Sequence, residues 1–181
     1  MCKFKSGIVL RSGKLLHSNW TDSHEELVTL FNLKDHREGN FARVEFYPDK
    51  LEDYDKPDSY KLHIDEERTP DWFTEQKQEV AIKELRGIIR GMIIDKPVKL
   101  MLGGSYILAK GAEVSYANHC RIVVMCGGTL TEMRGGTLTE MRGGTLTAMR
   151  GGTLTEMCGG TLTAMRGGTL TAMRGGTLKN D

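Results

Sequence analysis

Gly128-Thr129-Leu130-Thr131-Glu132-Met133-Arg134-Gly135 opens a run in which the same unit of eight residues returns without a gap at Gly136, Gly144, Gly152, Gly160 and Gly168. A truncated unit at Gly176 and the tail Lys179-Asn180-Asp181 follow. Two positions vary: the Glu132 slot also holds alanine, and the Arg134 slot holds cysteine at Cys158. Thr-Leu-Thr alternates as a short strand, threonines on one side and leucine on the other. Met133 follows Leu130 by three residues, so strict alternation would expose one of them. A bend between Thr131 and Glu132 brings both inward and leaves Glu132 and Arg134 outside. The recurring glycine pair permits a second bend, at φ values that other residues resist.

A helix is a poor alternative, because two glycines per unit cost about 2 kcal/mol per unit relative to alanine. A solvated low-complexity tract would not keep leucine and methionine in fixed phase. Stacked units resolve both problems: no single unit buries its own Leu and Met, but successive units share one interior and ladder their backbones. The predicted fold is therefore a β-solenoid (β-helix) whose core is Leu130, Met133, Leu138, Met141, Leu146, Met149, Leu154, Met157, Leu162, Met165, Leu170 and Met173. A triangular coil of three units is preferred over a flattened coil of two. The end at Leu178, Lys179 and Asn180 carries little cap, and an uncapped coil offers unpaired N–H and C=O groups. Self-association through that end, as a dimer or a filament, is the expected contact.

The same frame runs upstream in degenerate form. Ile122 and Met125 fill the leucine and methionine slots in 120–127, Val114 and Ala117 in 112–119, and Tyr106 and Ala109 in 104–111. This divides the chain into a small capping or docking domain over 1–96, transitional repeats over 97–127, and the regular solenoid over 128–181, with Pro97 ending the preceding helical pattern.

Residues 1–96 read as an α+β domain. Two short strands flank the turn at Arg11-Ser12-Gly13. A helix opens at Ser23 with Leu27, Leu30 and Phe31 as its apolar stripe. Phe41–Phe46 and Tyr60–Ile64 alternate as strands around an acidic loop. Pro70 then introduces a long helix over 71–92, with Trp72, Val80, Ile82, Leu85, Ile88, Ile89 and Met92 available for its buried side. This helix is expected to pack on the small sheet and cover the first open coil.

The order of the GIVL hairpin, the SHEEL helix, the FARVEF strand, the acidic loop and Pro70-Asp71-Trp72-Phe73 over residues 3–95 resembles uncharacterised proteins of bacterial prophages and gut phages that carry short tandem β-repeats. The resemblance implies a phage context and an architecture, with a phage or host protein as partner, but no reaction.

Lys and Arg total 25 against 24 Asp and Glu, a net charge of +1 that gives no global attraction to nucleic acid or acidic membranes. The apolar run Ile8–Leu10 is too short for a signal-peptide core. No stretch approaches the roughly 18 apolar residues of a membrane span. The expectation is a protein without a signal peptide that stays off membranes, either cytoplasmic in a bacterial host or associated with a virion.

Catalytic, cofactor-binding and metal-ligating sets are not expected. His17, His24, His36, His63 and His119 pair with no carboxylate or cysteine at motif spacing. Asp65, Glu66 and Glu67 read as a solvated charge run ahead of the long helix. Cys2, Cys120, Cys126 and Cys158 match no zinc or redox spacing and read as free thiols. Arg134, Arg142, Arg150, Arg166 and Arg174 precede glycine pairs, but Glu132, Glu140 and Glu156 partly balance them, which disfavours nucleic acid. The reading is a non-enzymatic structural or interaction protein whose solenoid is a scaffold or self-assembly surface. The alternative is a ligand- or surface-binding module: an ice-binding Thr-x-Thr face, nucleic-acid binding through the arginines, or a site around Trp20, Trp72 and Tyr54.

Overall fold

The structure, a computed structural model, describes residues 4–34 and 39–179. The chain separates into two compact units, Met1–Gly91 and Met92–Asp181.

In the first unit the strands β1 (Lys5–Leu10) and β2 (Leu15–Leu16) form the expected hairpin. Gly13, at φ 91°, lets its own N–H reach the Leu10 carbonyl at 2.8 Å. Helix α1 (His24–Leu30) starts where the Ser23 hydroxyl accepts a hydrogen bond from the Glu26 amide at 3.3 Å. Its inward residues are His24 and Leu27; Leu30, expected on the apolar stripe, is 60% exposed. Strands β3 (Phe41–Pro48) and β4 (Tyr60–Ile64) complete an antiparallel sheet of order β2-β1-β3-β4. Ile8, Val9, Ala42, Val44 and Phe46 are fully buried in it. Lys5 is buried too, at 2% exposure, with its ammonium bonded to the Ser18 carbonyl and to Asp22 at 3.1 Å. Helix α2 (Glu75–Met92) begins later than the expected start at 71, because Pro70 to Phe73 form a turn. Ala81, Leu85, Ile89 and Met92 make its buried stripe at helical spacing, and Val80 stays exposed.

The second unit is a β-solenoid of about 5 turns. One sheet contains β6 (Pro97–Leu102), β8 (Glu113–Asn118), β10 (Thr129–Met133), β12 (Thr145–Met149), β14 (Thr161–Met165) and β16 (Thr177–Leu178). The other contains β5 (Ile93–Ile94), β7 (Ser105–Leu108), β9 (Cys120–Met125), β11 (Gly136–Met141), β13 (Thr153–Met157) and β15 (Thr169–Met173). The pairings within the two sheets are parallel, and through the regular repeats they are in register: Leu130 meets Leu146, which meets Leu162, and Leu138 meets Leu154, which meets Leu170. Each coil therefore takes two units, not the three preferred from the sequence. The reason lies in the corners and the filling. Each glycine pair reverses the chain, so two bent strands already close a coil. One Leu and one Met per side fill a flat interior, whereas a triangular lumen would need more side-chain volume to reach native packing density.

The expected bend is present, but Glu132, expected outside, is buried at 9% exposure. The ladder pairs Thr129, Leu130, Glu132 and Met133 with their partners and skips Thr131, and Leu130 and Met133 are buried at 0% and 1% exposure. The solenoid begins at Ile93, ahead of Pro97, which opens the edge strand β6 where its missing N–H is tolerated. Between Tyr106 and Ile107 the register shifts, so Leu108, rather than Ala109, faces Met125 in the methionine slot.

Gly152 shows why the corners need glycine. Its φ is +84°, and an added Cβ would lie 2.6 Å from the Gly136 carbonyl and 2.9 Å from the Met133 methyl. The preceding coil's methionine occupies the space that a side chain would take.

Candidate functional site

The outer surface of the solenoid is built by repetition. Thr129, Thr145, Thr161 and Thr177 form one in-register column and Thr137, Thr153 and Thr169 another. The second threonine of each strand points the same way as the first, because the buried leucine lies between them. Both sheets thus carry a Thr-x-Thr lattice, spaced about 4.8 Å between coils and roughly 6.6 Å along a strand.

The corners carry charge. Arg150 reaches back to Glu132 in the coil before it at 3.1 Å, and Arg134 also bonds Glu132. Arg174 meets Glu156 at 2.5 Å, and Arg142 meets Glu140 at 2.5 Å. The Arg134 hydrogen bond, with the charge of Arg150 beside it, holds the Glu132 carboxyl below its usual range, against the opposing effect of desolvation. The corresponding slots for Arg166 are Ala148 and Ala164, which carry no carboxylate. Cys158 stands where the repeat has arginine, 3.5 Å from Glu140. Desolvation first, then the carboxylates of Glu140 and Glu156, push its thiol above the usual range. Burial does the same to Cys120, which points into the core.

The predicted core residues are in place along the middle of the solenoid. Leu130, Met133, Leu138, Met141, Leu146, Met149, Leu154, Met157 and Leu162 are at most 1% exposed. The last coil differs: Met165, Leu170 and Leu178 are only partly buried, and Met173 is 46% exposed. Of the expected assembly end, Leu178 and Lys179 stand at this open edge, with the Lys179 amide donating to the Leu162 carbonyl at 2.8 Å. Asn180 lies outside the described residues, as do Cys2 and His36.

The first unit holds a grouping that sequence spacing hides. His24 is 2% exposed, its Nδ1 lies 2.9 Å from Asp65 Oδ2, and its Nε2 lies 3.1 Å from the Val44 carbonyl. Glu45 joins them: one ligand atom from each of His24, Glu45 and Asp65 falls within 4.8 Å of the others. The charge run at Asp65–Glu67 is therefore not the helix-start feature it resembled. Asp65 turns to His24, and Glu66 accepts from the Arg43 amide at 2.9 Å and from its guanidinium at 3.2 Å. His63 stacks on Tyr47 at 3.9 Å, and His119 sits at a corner with φ 50°. His17 is held below the usual range by burial first and by the Lys5 charge second.

The three aromatic residues proposed for ligand binding have separate environments. Tyr54 packs in the core against Phe4. Trp72 donates to the Gly39 carbonyl and lies under Lys77. Trp20, 69% exposed, lines an open groove of about 500 Å³ with Leu30 and Glu26. Among the described residues no helix is long and apolar enough to cross a membrane. Comparison with known proteins finds no family model, no curated protein and no solved structure that matches the chain.

Proposed function

We propose that this is a non-enzymatic structural or interaction protein of phage or prophage origin, whose solenoid is a rigid scaffold that associates with a second copy through its last coil. The open edge of that coil carries the reading. Met173 is 46% exposed, while its counterparts Met141 and Met157 are 0% exposed. Among the described residues, strands β15 and β16 each pair on one side only, which places a strand edge beside that apolar surface. The paired arginine and glutamate corners favour protein contact over nucleic acid, because Glu132, Glu140 and Glu156 offset the arginines nearest them. The phage context rests on the resemblance over residues 3–95, and a cytoplasmic or virion-associated location follows from it.

Sedimentation of the full chain tests this reading. The expected result is a sedimentation coefficient that rises with concentration, and a Met173→Lys variant that stays monomeric over the same range. A monomer at every concentration overturns it.

A second reading has its own support in the threonine lattice. Regular columns of hydroxyl and methyl groups on a flat sheet order water, and ice growth is the process such a surface would arrest. Thermal hysteresis at millimolar protein is the expected observation, reduced when Thr145 and Thr147 are replaced by lysine. Freezing without hysteresis excludes it.

A further inference from the structure

We propose that His24, Glu45 and Asp65 form a binding site for one divalent transition-metal ion, with zinc as the ion best matched to the donors. The site belongs to the first unit and does not depend on the scaffold reading.

Donor accounting leads to it. The Val44 carbonyl only accepts, so Nε2 of His24 carries the ring hydrogen at that 3.1 Å contact. Nδ1 then faces the Asp65 carboxylate at 2.9 Å. At that distance Nδ1 carries either a hydrogen, as an imidazolium paired with Asp65, or a metal ion. A single proton would satisfy the His24–Asp65 pair alone. Glu45 adds a second carboxylate within the same 4.8 Å. One proton leaves the cluster with net negative charge beside a buried ring; a divalent ion offsets both carboxylates.

The surroundings suit a ligand set. A ring whose far nitrogen donates to a backbone carbonyl has its tautomer and orientation fixed, as metal-binding histidines do. Asp65 is anchored by its amide to the Arg43 carbonyl at 2.9 Å, and Glu66 beside it is clamped by Arg43. The Asp65 side chain is 57% exposed, which opens one side of the group to solvent. That opening lets an ion enter and lets water complete its coordination. Donors held about 2.0–2.2 Å from zinc stand roughly 3.3 Å apart, so an ion would part His24 and Asp65 slightly from 2.9 Å and draw Glu45 in from within 4.8 Å. Imidazole with carboxylates and no thiolate selects ions of intermediate hardness.

The test uses the full chain stripped with EDTA and titrated with zinc by calorimetry. The expected result is one equivalent bound, with affinity lowered about tenfold or more in Asp65→Asn and in Glu45→Gln. The His24 ring nitrogen signals of the unmutated protein should move as that equivalent is added, a readout that needs no variant. Cobalt substitution should give visible bands without thiolate charge transfer. Unchanged affinity in both variants, immobile His24 signals, thiolate bands, or no binding of zinc, cobalt or manganese each overturns the proposal.

Discussion

Asp22→Ala is expected to destabilise the first unit by about 3–5 kcal/mol, the cost of leaving a buried ammonium without its counter-ion. Lys5 is 2% exposed and its partner carboxylate 9%. Removing Asp22 leaves the Lys5 ammonium with the neutral Ser18 carbonyl in place of a bonded carboxylate. Asp22 also takes the Ser6 amide at 3.4 Å, so the change frees a backbone donor as well. Both tryptophans, Trp20 and Trp72, lie in the first unit, so urea unfolding followed by fluorescence reports on that unit. The double variant Lys5→Met/Asp22→Asn should recover most of the loss, because no unpaired charge is then buried. An Asp22→Ala midpoint equal to that of the unmutated protein would show that the pair contributes nothing.

Gly152→Ala is the counterpart in the solenoid. Placing alanine in left-handed backbone costs roughly 1–2 kcal/mol. The new methyl also meets the Gly136 carbonyl at 2.6 Å and the Met133 methyl at 2.9 Å, so a coil must shift. Overpacking of this kind costs about 1–3 kcal/mol more. Because each coil is held by its neighbours, the strain spreads to strands on either side. Amide exchange should lose protection through β11, β12 and β13 while the first unit's strands keep theirs. Gly13→Ala separates the two causes: φ there is +91°, yet nothing lies within 4 Å of the added methyl. Its expected cost is the backbone strain alone. Equal protection in Gly152→Ala and the unmutated chain would refute the close packing of methionine on glycine.

The solenoid was legible because its signal repeats. Leucine and methionine at fixed phase demand a common interior, and the glycine pairs mark the corners. Coil size was not legible, since an eight-residue unit does not state how many units complete a turn. That number depends on corner angle and interior volume, which appear only in the pairing of Leu130 with Leu146. The shift at Ile107 escaped for a similar reason: one contracted strand slides the frame, and Leu108 and Ala109 are both apolar enough for the slot. In the first unit the hairpin, α1 and both later strands were readable from alternation and capping. Lys5 was not, because a charged residue at the start of a strand ordinarily points to water. The group of His24, Glu45 and Asp65 was hidden by sequence distance, as a helix start, a central strand and a strand exit meet only after the sheet has formed.

Two octads per coil give the solenoid an approximate half-turn screw axis. Loss or gain of a single octad by recombination between near-identical copies would keep the leucine and methionine slots of the inner coils facing the shared interior. It would also move the last octad's strand from one sheet to the other. The parity of the unit count, independent of its size, therefore sets which of the two sheets receives the final octad.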